Sequence, residues 1–165
     1  MAKRDATVTQ IADRIDELTK TTQAFLVPVE LGHLRNQGRK RGDKSVGFLS
    51  YALGTVLDIK PIVRAYRGHT GPIAKIRGFD AGVKRLFEVT RQQVNKGLTA
   101  NTICMSYGGD PEKVKLMPGY SELIDTATKN DMEVFLSEMG LTAGVNIGPG
   151  GFAIAFASNE EVAID

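Results

Sequence analysis

Four glycines and one proline gather in "GVNIGPGGFAIAFAS", residues 144–158, where Gly144, Gly148, Gly150 and Gly151 surround Pro149. Glycine-rich backbone can aim successive N–H groups at an anion. It can equally form a tight turn between two strands. The stretch is not a phosphate-binding P-loop, because no Gly-Lys-Ser/Thr follows, and not a dinucleotide fingerprint, because a strand pattern rather than a helix follows the glycines. In that pattern Phe152, Ile154 and Phe156 alternate with Ala153, Ala155 and Ala157. A strand there places large residues on one face and alanines on the other. An alanine face lets a helix, or an elongated apolar ligand, lie close to the sheet.

A second cluster is basic. Arg35, Arg39, Lys40, Arg41 and Lys44 fall within ten residues that hold one acid, Asp43. Such a run suits a phosphate, a carboxylate or an acidic partner, or it is a solvated loop. Gly38 beside Arg39 permits an unusual backbone and a close approach. The run leads into a helix pattern that Ser45 can cap, and helix N-termini also favour anions. On that helix Ser50, Tyr51 and Thr55 could line a pocket mouth with hydroxyls. No nucleophile–base–orienter set and no paired carboxylates are recognisable. His33 and His69 stand far apart with no third histidine, which gives neither a zinc site nor a triad. One cysteine, Cys104 in "NTICMS", excludes an intrachain disulfide and is expected in the core.

These residues need elements to hold them. Residues 7–22 carry Val8, Ile11, Ala12, Ile15, Leu18 and Thr22 at helical spacing, and Thr7 with Gln10 resembles a capping box. This face is expected to bury, since such a helix is marginal alone. "AFLVPVE" reads as a short strand, an edge one because of Pro28. Leu31 and Leu34 start a short helix. Val46, Leu49, Ala52, Leu53, Val56 and Leu57 stripe a further one. Residues 62–66 and 72–76 flank a hairpin turn built on Gly68 and Gly71. A helix runs over 79–96, stopped by Gly97. "TANTICMSYGG" is a buried strand, and Asp110-Pro111 opens a helix that resumes over "YSELIDTATKN". "MEVFLSEMG", "LTAGVNI" and "GFAIAFAS" are the last strands. The pattern predicts a single α/β domain: a mixed sheet with a β-hairpin, covered by helices.

The chain has 165 residues, 42% of them hydrophobic and 24% charged, with a net charge of +2. It can build a core, and it carries no global nucleic-acid footprint. No stretch approaches the ~20 apolar residues of a membrane span, and the N-terminus lacks an apolar signal core. A reduced, cytoplasmic domain is expected.

Taken together, "LGTVLDIKPIV" at 53–63, "AKIRGFDAGVKRL" at 74–86, Leu34, Gly38-Arg39 and the closing "GVNIGPGGFAIAF" resemble the second half of the DegV family, over nearly all of residues 8–158. The resemblance implies a division into a linker-type helix, residues 1–22, and a lipid-binding C-terminal lobe, residues 23–165. It also implies a role. Family members are two-lobed and hold one long-chain fatty acid between the lobes. Bacterial members present that acid to a separate fatty acid kinase and are not themselves catalysts. The acyl tail lies mainly in the second lobe. The carboxylate is held by hydroxyls of the first lobe, aided by the arginine of a Gly-Gly-Arg turn and a histidine of the final turn.

Arg39 matches that arginine. Gln37 stands at the first glycine, Asn146 at the histidine and Ile147 at the usual threonine; asparagine can donate a hydrogen bond but carries no charge. No counterpart of the first lobe, about 100 residues or more by ordinary domain size, precedes residue 8. The expected ligand-binding residues are therefore Arg39, Ser50, Asn146, Gly148, Pro149 and Gly150, with no cofactor beyond a bound fatty acid. The slot would be formed by the helix at 46–57, the alanine face of the last strand and the helix at 79–96. The rival expectation is an interaction domain that kept the fold and lost the ligand. An enzyme using the basic loop on a phosphorylated substrate lacks catalytic groups. An apolar lobe face would also suit a homodimer.

Overall fold

A computed structural model of the chain describes residues 6–30, 32 and 58–164. The predicted helices around Leu31 and over 46–57, the basic run, His33, Arg39 and Ser50 lie outside these residues.

Helix α1 (Val8–Thr21) opens with the expected capping box. The Thr7 N–H donates to Gln10 Oε1 at 2.9 Å, and the Gln10 N–H donates to Thr7 Oγ1 at 3.3 Å. Its apolar stripe is not buried as expected: Val8 is 84% and Ile15 57% exposed. The helix passes without a loop into β1 (Thr22–Val27).

Five more strands complete one sheet: β2 (Ile59–Tyr66), β3 (His69–Arg77), β4 (Thr102–Tyr107), β5 (Glu133–Glu138) and β6 (Phe152–Ala157). Their order is β3-β2-β1-β6-β4-β5. Only β4 and β5 pair in parallel, so the sheet is mixed. Strand β1 pairs on both sides and is central, not an edge. Pro28 lies one residue past its end and costs the ladder no hydrogen bond.

The hairpin turns on Arg67 and Gly68, both at positive φ (48° and 79°), as a two-residue type I′ turn demands. Gly71 sits inside β3, opposite Arg64, rather than in the turn. Arg67 holds its strained backbone with its own side chain. The guanidinium lies over the Tyr66 ring at 4.9 Å, and Nε donates to Lys20 O at 3.0 Å.

Helix α2 (Phe79–Lys96) and its Gly97 stop fall where the pattern puts them. The Asp110-Pro111 helix is a 3-10 helix, Pro111–Leu116, cut short before Pro118. Helix α3 (Tyr120–Lys129) completes the crossover from β4 to β5. Residues Leu141–Ile147 form helix α4, not the expected strand. The reason is distance. The Met139 N–H donates to Tyr107 O at 2.7 Å, and Phe152 pairs with the same Tyr107 from the other side. The intervening residues must leave and return to one spot. Seven residues of helix rise roughly 10 Å, whereas seven of strand would run roughly 23 Å away.

The core lies between one sheet face and helices α2 and α3. Phe25, Val27, Ile103, Met105, Phe152, Ile154 and Phe156 meet Val83, Leu86, Phe87, Leu123 and Ala127. Phe87 stands edge-on to Phe152 at 5.4 Å, and Phe25 stacks on Phe156 at 5.6 Å. Each such side chain stabilises the fold by roughly 1.5–3 kcal/mol. The C-terminal tail closes the same face. Gln23, fully buried, donates to Glu160 O at 2.7 Å and accepts the Val162 N–H at 3.1 Å, which seats Val162 and Ile164 in the core region.

Candidate functional site

Strand polarity gathers the chemistry at one end of the sheet. The ladders place the carboxyl ends of β1, β3, β4 and β5 beside the amino ends of β2 and β6. That end holds Val29, Asp58, Lys60, Gly108, Gly109, Asn146 and the Gly148–Gly151 turn. The chain leaves the described sheet end at Glu30 and returns at Asp58; Arg39 and Ser50 fall between them in sequence.

The glycine turn joins α4 to β6, helix to strand. Gly148 at φ 92° ends the helix and its N–H donates to Gly144 O at 2.8 Å. The Gly150 N–H donates to Gly108 O at 2.8 Å, and the Gly151 N–H donates to Gly148 O at 3.3 Å. Pro149 has no N–H. The turn's donors are all engaged inside the protein, so it is not a backbone cradle for an anion. It is close-packed. A Cβ on Gly108 would stand 3.0 Å from Gly150 N and 3.1 Å from Gly148 O. Gly108 was not among the expected site residues; its only signal is the Gly-Gly pair ending "SYGG".

Asn146 lies on α4, half-buried, and its Nδ2 donates to Thr142 O at 2.7 Å, one helical turn back. It is thus carried by the same short element that leads into Gly148, Pro149 and Gly150. Lys60, on β2, is mostly buried. Its ammonium donates to Val29 O at 2.6 Å and pairs with Asp58 Oδ1 at 3.0 Å. Among the described residues no group of His, Cys, Asp and Glu could hold a metal.

The second feature is the sheet face turned away from α2 and α3. The ladders align Ala65 with Ala24, Ala24 with Ala155, Ala155 with Cys104, and Cys104 with Phe135. One small-residue row, Ala65–Ala24–Ala155–Cys104, therefore crosses four neighbouring strands, roughly 14 Å at ordinary strand spacing, and ends at the exposed Phe135. Cys104 is exposed, not core. The alternation of β4 sends Ile103 and Met105 inward and Cys104 to the other face. The same alternation corrects the expected slot. Helix α2 packs on the phenylalanine face, so it and the alanine face lie on opposite sides of the sheet and cannot line one slot together.

At the far end of the sheet a groove of about 540 Å³ runs between Ile15, Leu18 and Thr22 on one side and Tyr66, Arg67 and His69 on the other. It contains none of the expected site residues.

A mixed six-stranded sheet with a helical layer on its aromatic face and an alanine row on the other defines the class: an α/β domain built on a mixed sheet. The family model for the uncharacterised DegV family matches residues 1–159. A DegV domain-containing protein of Xanthomonas campestris pv. campestris is 41% identical over 151 residues, covering 92% of this chain and 48% of the relative. Protein DegV of Bacillus subtilis is 24% identical over 146 residues, covering 88% and 48%.

Among solved structures, DegV of Bacillus subtilis, a fatty acid binding protein, superimposes with a TM-score of 0.67 at 21% identity, over 96% of this chain and 52% of that one. A stearic acid-binding protein from Eubacterium ventriosum gives 0.69 at 18%, over 95% and 52%. The chain belongs to the DegV family, and it spans about half the length of the relatives it matches. Among the described residues no helix is long and apolar enough to cross a membrane.

Proposed function

We propose that the chain is a fatty-acid-binding lobe, with the acyl tail laid on the alanine face and the carboxylate directed to the glycine-turn end. The observation that carries this reading is the row Ala65–Ala24–Ala155–Cys104, an apolar floor without protruding side chains. Relatives of the same fold bind stearic and heptadecanoic acid. Asn146 and the surface of Gly148, Pro149 and Gly150 lie at the polar end, with Arg39 as the cation. Ser50 supplies a hydroxyl. The lobe acts as a carrier in the cytoplasm, and a separate kinase phosphorylates the acid. A first lobe completes the head-group site.

Magnitudes assign the roles. Burying a methylene is worth about 0.8 kcal/mol, so a long tail dominates affinity even after the costs of association. A hydrogen bond to a charged group adds about 1.5–3 kcal/mol, which selects acid over alcohol.

Native mass spectrometry of the chain with added palmitate or oleate tests the reading. One bound acid per chain supports it. Absence of uptake favours the rival, a fold that lost its ligand, for which Asn146 at the family's histidine position is the motivating observation. Arg39→Ala is expected to weaken acid but not the matching alcohol.

A further inference from the structure

Lys60 joins Val29 to Asp58, two places that are 29 residues apart. Its ammonium donates to the carbonyl of Val29, a half-buried residue two positions beyond β1, and pairs with Asp58, where the chain returns to the sheet. Asp58 is itself held in an uncommon conformation, φ 53°, in which non-glycine residues seldom rest. Its carbonyl accepts the Gly78 N–H at 2.8 Å. Strain of this kind persists only where neighbours over-determine the backbone, and here Lys60 and Gly78 do so.

Val29 carries the arrangement onward: its Cγ2 lies against Gly150, only 3.1 Å from where a Cβ there would stand. Gly150 in turn donates to Gly108 O. One continuous path thus runs Asp58–Lys60–Val29–Gly150–Gly108, from β2 to β4, across the four central strands at the polar end of the sheet.

We propose that Lys60 is a positioning residue of the head-group site. By fixing the Val29 carbonyl it seats the Val29 side chain on Gly150 and holds the glycine turn in place. The ammonium is spent on Val29 and Asp58, so it acts through them and not on the ligand. The relevance to acid binding rests on the proposed function; the positioning itself does not.

The test uses the chain without ligand first. Lys60→Met should speed hydrogen exchange of the Gly150 N–H at least tenfold while α2 amides keep their protection, and Lys60→Arg should restore most of it. Unchanged Gly150 exchange, or equal loss across the chain, overturns the proposal. Palmitate and hexadecanol binding are then compared. Positioning predicts that Lys60→Met and Asp58→Asn both weaken palmitate more than hexadecanol. If Asp58→Asn leaves palmitate unchanged or tightens it, Lys60 touches the carboxylate directly and the proposal fails. If the native chain binds no palmitate, the functional reading fails, while the exchange result still decides the positioning.

Discussion

Gly108 and Gly150 are bonded backbone to backbone: the Gly150 N–H donates to the Gly108 carbonyl at 2.8 Å, while the Gly108 N–H donates to Gly151 O at 2.8 Å. Two turns far apart in sequence are thereby closed on one another, with no space for a side chain between them. This contact fixes the end of β4, the start of β6 and, through Gly148, the end of α4.

Gly108→Ala should therefore destabilise the fold. The new methyl meets backbone atoms at 3.0–3.2 Å, which cannot move without breaking the paired bonds. A loss of about 1–3 kcal/mol is expected, the usual range for overpacking, read from urea denaturation. Gly71→Ala is the control. Its Cβ meets nothing within 4 Å and its φ is not positive, so stability should hold or rise slightly.

Gln23→Leu should release the C-terminal tail. The substitution keeps the volume but leaves the Glu160 carbonyl and the Val162 N–H without their partner. The Val162 N–H is buried, and leaving such a group unsatisfied costs about 1–3 kcal/mol. Limited proteolysis should then cut beyond Ser158 in the variant and spare the native chain.

Local signals account for much of what could be read in the sequence. Thr7 and Gln10 specify the start of α1, and the stripe from Val83 to Val94 with Gly97 specifies α2, because caps and periodicity act within a few residues. What was not legible depends on distant partners. Leu141–Ile147 is a helix because Met139 and Phe152 flank Tyr107. Strand β1 is central because β2 and β6 reach it from opposite sides. Cys104 is exposed because α2 and α3 choose the other face. At the polar end of the sheet, Asn146 and the glycine turn can be singled out from the sequence as candidates, whereas Gly108, Val29 and Lys60 cannot, because they meet there only through contacts between distant residues.

Cys104 offers a reporter of the alanine face. Its thiol is accessible and should react readily with a disulfide reagent in the ligand-free chain. If an acyl tail occupies the row, oleate should slow the reaction at least tenfold, whereas a ligand elsewhere would leave the rate unchanged. Stopped-flow absorbance measures both.

If the acyl tail lies on the alanine row, calorimetric titration of oleate must separate the native chain from Ala155→Phe. Ala155 sits between Ala24 and Cys104 and is only half-buried, so a larger side chain should fill the row without disturbing the core. One oleate per native chain is expected, and at least a hundredfold weaker binding to Ala155→Phe, with the thermal midpoint preserved. Equal affinity in the two proteins would contradict it.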